Sequence, residues 1–473
     1  MKIRYILLLI ITVLGVSSCY DDKGNYSYDP KNDIKITFDA SYFEAILGEK
    51  IKLTPRLTFA IDSNDVDLSY KWTFLGKEIS DQRNLEWVVD TVTSNHNVYL
   101  NVTDNRTGVT FSGGISAMLS SAYAKEAWVV LAKQNGKSVL SYIRETQEDD
   151  GSEYGKFTYT DIPDIYQLVN GEELGTEPVR VLEHFAARGG IGHFWVLQNG
   201  GQGCVDLSGE DFTKDILLND IFLDGNLPVD FKPIDMIDMK WLTCVVNHDG
   251  KVYTRKKLTN QLYNSGYFID RPLEFENEEV DGSRMVLAPF SDLNYTVMYD
   301  KVHNRFLAIA DLKKETAGKV VKFTVDESGY APDFARLDNL GNMEVLHTGY
   351  YEVKEGESGD QGYYSILRDR TTGNYYTHDF RVNAMSESSA PSAFPVLQRQ
   401  IDLNQVINGT SKNVFNVLRS WVYGDDFGTP YVLISKDNEL WLYDRDAKMP
   451  VEKYYEFPQG QIITAIDSES VGS

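Results

Sequence analysis

The sequence predicts an all-β chain, a small N-terminal antiparallel sandwich followed by a β-propeller. Three observations predict it. Short segments near the N-terminus alternate apolar and polar residues in period two. Hairpin-like units then recur through the rest of the chain. The composition is rich in strand-favouring aromatics, with 29 Tyr and 22 Phe among 473 residues. This length suggests two or three domains, and a hydrophobic fraction of 42% can fill sizeable cores.

The first element is a secretion signal, residues 1–18. Lys2 and Arg4 form a basic head, and Tyr5 to Val16 is apolar apart from Thr12 and Gly15. Ser17, Ser18 and Cys19 supply the small residues a cleavage site needs. The apolar run falls short of the roughly 20 residues that span a bilayer. An uncleaved anchor is the competing reading. Leu14-Gly15-Val16-Ser17-Ser18-Cys19 resembles a bacterial lipobox, although Ser18 stands where Gly or Ala is commoner. The resemblance implies that Cys19 becomes the first mature residue and carries a diacylglycerol, a membrane attachment through lipid. Tyr20-Asp21-Asp22-Lys23 follows. An acidic pair behind a lipidated Cys resembles the surface-export signal of Bacteroidetes lipoproteins, so Asp21 and Asp22 are the candidate export residues. A solvated acidic tether is the plainer alternative. Residues 19–33, with Gly24, Asn25 and Pro30, read as that tether.

The charge balance narrows the partners. Lys and Arg total 46 and Asp and Glu 70, a net −24 that becomes −26 without Lys2 and Arg4. This excess opposes nucleic acid and anionic lipid surfaces. Beyond Cys19 only Cys204 and Cys244 remain. A disulfide and two buried free thiols both fit them, and neither has zinc-site spacing.

Residues 34–118 carry the sandwich. Ile34-Lys35-Ile36-Thr37-Phe38, Lys50 to Pro55, and Leu68 to Phe74 alternate in period two. Val98 to Thr103, the turn Asp104 to Gly108 and Val109-Thr110-Phe111 follow. Tyr70-Lys71-Trp72 places a Trp on a strand, and Val102-Thr103-Asp104-Asn105 with Gly108 marks a last hairpin. Here the chain resembles a polycystic-kidney-disease-like (PKD-like) domain, an immunoglobulin-type fold. It departs from the common pattern at Leu75-Gly76-Lys77, where Gly-Asp-Gly is expected.

Residues 125–473 carry the propeller. One unit recurs, strand, tight turn, strand, with turns at Asn135-Gly136, Asn199-Gly200, Asp249-Gly250, His303-Asn304, Thr372-Gly373 and Asp437-Asn438. The intervals are 64, 50, 54, 69 and 65 residues, which suit four-stranded blades with generous loops. Lys453 to Ile466 holds strands without a following hairpin, and it resembles Leu273 to Ala288, which precedes one. The C-terminal strands are therefore expected to complete the first blade and remove exposed sheet edges. Six blades is the favoured count and seven the runner-up. The alternative is a chain that stops mid-blade.

No catalytic signature stands out. The seven His (96, 184, 193, 248, 303, 347 and 378) include no HExxH and no i, i+4 helical pair. His248 and His303 fall at turns. Gly189-Gly190-Ile191-Gly192 and Gly200-Gly201-Gln202-Gly203 open no helix, so they read as turn or bulge glycines rather than a phosphate cradle. Asp62, Asp65 and Asp67, or Asp425 and Asp426, are candidate calcium loops, although no EF-hand pattern is present and chance clusters are expected among 70 acidic residues. Glu352, Glu355, Glu357 and Asp360 read as solvated loop charge. Trp128, Trp195, Trp241, Trp421 and Trp441 lie on predicted strands, where core packing is expected. No catalytic residue, cofactor site or metal ligand is assigned.

The order of these elements, together with Cys19-Tyr20-Asp21-Asp22 and Trp128 to Lys137, resembles the PKD-like family of Bacteroidetes surface lipoproteins. The resemblance implies an outer-membrane, lipid-anchored, surface-displayed accessory protein beside a TonB-dependent nutrient-uptake complex. The expected function is non-catalytic capture of a glycan or peptide. A surface hydrolase or lyase with its site in the propeller channel is the alternative, and a purely structural subunit is a third reading.

Overall fold

The computed structural model describes residues 32–64, 66–121, 123, 127–148, 156–184, 192–257, 266–286, 295–325, 334–351, 361–383, 390–417, 431–445 and 450–469. Cys19, Asp21, Asp22, Asp65, Gly189, Gly190, Glu352, Glu355, Glu357, Asp360, Trp421, Asp425 and Asp426 lie outside them. The chain is all-β and separates into two compact units, Met1–Ser120 and Ser121–Ser473. Helix among the described residues is confined to Ile165–Asn170 and two 3₁₀ turns, and none is long and apolar enough to cross a membrane.

In the first unit a five-stranded sheet runs in the order Tyr42–Ile46, Val109–Ser120, Thr93–Asp104, Leu68–Phe74, Lys77–Ser80. Its first pair is parallel and the others are antiparallel. Ile34–Thr37 pairs with Arg56–Phe59, and Lys50–Leu53 with Leu85–Val88. Period two decides which side chains turn inward. Val98, Leu100 and Val102 are buried on one strand, and Ile115, Ala117 and Leu119 on its neighbour. They close over Trp72, whose indole N–H donates to the Gln82 carbonyl at 2.8 Å, satisfying the one polar atom the ring carries into the core. The Asp104–Gly108 turn is tied by the Asp104 carboxylate, which accepts from both the amide and the guanidinium of Arg106.

Among its described residues the second unit forms six principal strand groups, here sheets A to F, of which A and B are hydrogen-bonded into one eight-stranded sheet. Sheet A has the order Gln461–Glu469, Ala127–Gln134, Lys137–Glu148, Lys156–Ile162. Sheet B is Gly175–His184, His193–Gly201, Val205–Ser208, Lys214–Leu217, joined to A by a two-residue pairing at Lys137 and Ser138. Sheet C is Pro233–Asp238, Leu242–Asn247, Val252–Lys256. Sheet D is Gly282–Val286, Tyr295–Asp300, Arg305–Ala310, Val320–Lys322. Sheet E is Met343–Tyr351, Gln361–Asp369, Tyr375–Val382, Ser392–Ile401, with Thr324–Val325 parallel on its edge. Sheet F is Phe415–Val417, Tyr431–Lys436, Glu439–Asp444, Glu452–Glu456. The six hairpins read from the sequence are the second and third strands of these sheets. The leading strand of A is C-terminal, and Val129 pairs with Asp467.

Each sheet packs on two others, which explains the continuous apolar runs. In Trp128-Val129-Val130-Leu131, Val129 and Leu131 meet Phe194 and Val196 of sheet B, while Trp128 and Val130 meet Leu433 and Leu442 of sheet F. Both faces are dry, so alternation gives way to uninterrupted hydrophobicity. The same holds for B against C, C against D, D against E and E against F. The leading strands touch in the same succession, and that of F also touches that of A.

Two local expectations are corrected. The turn placed at Asn199-Gly200 lies later, because His193–Gly201 continues as strand. Gly201 serves a close backbone approach instead: a Cβ there would stand 2.6 Å from the Cα of Gly175, and its φ is +69°. Trp241 is not on a strand. It sits in the bend between Pro233–Asp238 and Leu242–Asn247, half-buried, with Lys240 over its ring.

Candidate functional site

Polar residues are expected at sheet surfaces, yet a group of charged side chains is buried between sheets B and C. The register assembles it. His184 ends the leading strand of B and pairs directly with His193 on the next strand. Trp195, two residues on, pairs with Asp206 on the third. Side chains two apart on one strand share a face, so His184, His193 and Asp206 project together toward sheet C.

His184 Nε2 lies 2.7 Å from Asp206 Oδ1, and its Nδ1 lies 3.8 Å from Asp238 Oδ2 on the leading strand of C. His193 Nδ1 lies 3.3 Å from Asp206 Oδ2 and 3.4 Å from Asp215 Oδ2. The Trp195 ring stacks on His184 at 5.9 Å. Side-chain exposure is 3% for His184, 0% for Asp206 and 2% for Asp238, rising to 18% at His193 and 43% at Asp215. The group thus runs from a sealed interior to a solvent-facing rim.

Asp238 is anchored from the other side. Lys257 Nζ lies 2.5 Å from its Oδ2 and also donates to the Met239 carbonyl, and Thr243 Oγ1 donates to its Oδ1 at 2.5 Å. Arg255 donates to Thr243 and stacks over Phe268. Burial works against the charged carboxylate of Asp238, but Lys257, His184 and Arg255 outweigh it and hold the group below the usual carboxylate range. Burial likewise opposes the imidazolium of His184, yet the Asp206 and Asp238 carboxylates raise it to about 9.

A second buried polar group joins sheets E and F. The Arg445 guanidinium lies 2.9 Å from Asp379 and 4.7 Å from the centre of the Tyr364 ring, and Tyr364 OH is 2.9 Å from His347 Nε2. Burial, with a contribution from Arg180, lowers His347 to about 3, and burial lowers His378 to about 4, so both rings are neutral. Arg180 itself pairs with Asp235 at 3.0 Å.

Among the described residues, His184, His193 and Asp206 are the one set of three potential metal ligands whose donor atoms lie within 4.8 Å of one another. In the described part of the candidate calcium loop, Asp62 accepts from the Asn64 amide and Asp67 from Asn105. His248 and His303 do occupy turns, against Asp230 and Asp300. Cys204 and Cys244 are buried free thiols, and burial pushes Cys204 up to about 12. Trp128 and Trp195 are core residues, whereas Trp441 is half-buried under Lys436. Sequence reasoning missed the His pair because helical spacing was the pattern tested. The available signal was their position at two strand ends on either side of the glycine-rich stretch, His184 ending one strand and His193 beginning the next.

The family model described as the PKD-like family matches residues 19–178. That span runs beyond the sandwich into the first strands of the second unit. No curated protein matches the chain. Among solved structures, a quinonprotein alcohol dehydrogenase-like protein from Bacteroides thetaiotaomicron aligns over 91% of this chain and 98% of its own, at 12% identity and TM-score 0.34. Kluyveromyces lactis Hsv2 aligns over 80% and 94%, at 8% identity and TM-score 0.31. The Bacteroides ovatus mixed-linkage glucan utilization locus protein SGBP-B, in complex with a mixed-linkage heptasaccharide, aligns over 80% and 93%, at 10% identity and TM-score 0.19.

Proposed function

We propose that this chain is a lipid-anchored, surface-displayed binding protein, a non-catalytic subunit that serves an outer-membrane TonB-dependent uptake complex for a glycan or peptide. The observation that carries the reading is the start of the family match at Cys19, the residue the lipobox makes the first of the mature chain. The acidic pair Asp21-Asp22 behind it directs the anchored protein outward.

The second unit is a six-bladed propeller in this reading, with Gln461–Glu469 completing the first blade. Support comes from the pairing of Ala127–Gln134 with that C-terminal strand and from the cyclic order of sheet contacts. Non-catalytic binding is favoured over hydrolysis by how leading-strand acids are engaged. Asp235 is paired with Arg180, and Asp467 accepts the Glu183 amide at 2.7 Å. A general acid or base needs a carboxyl available to substrate.

The test is expression of the full chain and of Cys19→Ala in a Bacteroidetes host, with metabolic labelling by a clickable palmitate analogue and protease shaving of intact cells. Label on the parent, its loss in Cys19→Ala and digestion from outside are expected. A labelled Cys19→Ala variant, or a parent protected on intact cells, would overturn the reading. Co-purification with a transporter, and absence of polymer turnover by the same preparation, test the partner and the non-catalytic assignment.

A further inference from the structure

We propose that His184, His193 and Asp206 hold a zinc-class divalent transition metal between sheets B and C, with Asp215 beside His193 at the rim. The donor set is two imidazoles and one carboxylate, which suits zinc. Zinc ligands at about 2.0–2.1 Å from a tetrahedral centre stand about 3.3–3.4 Å from one another. The separations of His193 Nδ1 from Asp206 and from Asp215 are 3.3 and 3.4 Å. The His184 to Asp206 distance, 2.7 Å, is a hydrogen-bond length that opens by a little over half an ångström when an ion enters.

The surroundings supply what a ligating histidine needs. If His184 ligates through Nε2, its Nδ1–H faces Asp238, the carboxylate partner that fixes tautomer and ring orientation at metal sites. Asp238 is held in place by Lys257 and Thr243, and Trp195 fixes the imidazole plane. These are positioning residues. Calcium does not fit, because it takes six to eight oxygens. The three ligands come one each from the first three strands of sheet B, so the ion clamps those strands to one another and, through Asp238, to sheet C.

The experiment uses the full chain, purified in detergent without a polyhistidine tag, stripped with chelator and titrated with zinc by calorimetry. Stoichiometry is read by elemental analysis after dialysis. One zinc per chain, a raised Tm and the visible spectrum of tetrahedral Co(II) on cobalt substitution are expected. His193→Ala lies at the rim, so the stripped variant keeps the parent's circular dichroism while zinc binding is lost. Asp215→Asn binds about 10- to 100-fold more weakly. Retention of less than a tenth of an equivalent of zinc by the parent would overturn the proposal, as would zinc binding that neither substitution weakens. In either case the cluster is an ion-pair network only.

Discussion

Lys257 Nζ lies 2.5 Å from Asp238 Oδ2, with both side chains 2% exposed, so one of the most hydrated pairs of groups in protein chemistry is sealed between two sheets. Removing one partner strands the other charge without water. Lys257→Met is expected to cost about 3–5 kcal/mol in chemical denaturation. Lys257→Met combined with Asp238→Leu is expected to cost less than the two single changes added together. Strict additivity would show that the two do not act as a pair.

Trp72 anchors the first unit. Trp72→Ala is expected to destabilise it by about 3–5 kcal/mol. Trp72→Phe keeps most of the ring volume and leaves the Gln82 carbonyl without its donor, a loss of about 1 kcal/mol. Trp72 lies in the core of the first of two compact units, so calorimetry should show its transition moving and the other fixed.

Asp311 gives a pH dependence of unusual sign. Its carboxyl is buried and accepts the Trp241 amide at 3.0 Å. Burial raises its pKa to about 7, against the pull of the Trp241 and Lys240 amides and of Lys257, and Asp238 adds to the rise. Between the unfolded value, 3.8, and 7 the folded state therefore holds the proton the unfolded state has lost. The contribution is complete below the unfolded pKa and disappears as pH rises through 7, up to about 4 kcal/mol in all. Parent and Asp311→Asn, denatured at a series of pH values from 4 to 8, should diverge, with the variant less affected by the rise. Parallel curves would remove Asp311 as the cause.

Cys204 and Cys244 should be inert in the native state. In the chain from residue 20 onward, a thiol reagent is expected to find none before denaturation and two after it. Fast labelling of either under native conditions would contradict their burial.

Gly201→Ala introduces a methyl 2.6 Å from the Gly175 Cα, at φ +69°. A loss of more than about 1 kcal/mol is expected, larger than that of Gly136→Ala, where φ is also positive but nothing lies within 4 Å. Equal losses at both positions would show that backbone conformation alone matters there.

The broad architecture was legible because its signals are local. Trp72, the Asp104–Gly108 turn and the turns at Asn135-Gly136 and Asp249-Gly250 each depend on a few neighbouring residues. The edge strands of the sandwich, such as Tyr42–Ile46 and Lys77–Ser80, were not read, since they alternate weakly and owe their conformation to partners far along the chain. The His184, His193 and Asp206 cluster was hidden for the same reason. His184 and Asp238 belong to different sheets, and no spacing within one segment encodes a seam between two. Gly200 and Gly201 misled because the same residue type serves both turns and close approaches.

The pairing of Val129 with Asp467 sets a timetable for biogenesis. Sheet A receives its leading strand from residues made more than three hundred positions later. A chain emerging N-terminus first from a ribosome or a translocation pore can assemble the sandwich at once, but Ala127–Gln134 must wait with one edge unpaired until the final strand arrives. Closing so long an interval carries an entropic cost and keeps folding of this unit slow. During that wait the apolar run Trp128 to Leu131 is open to wrong partners.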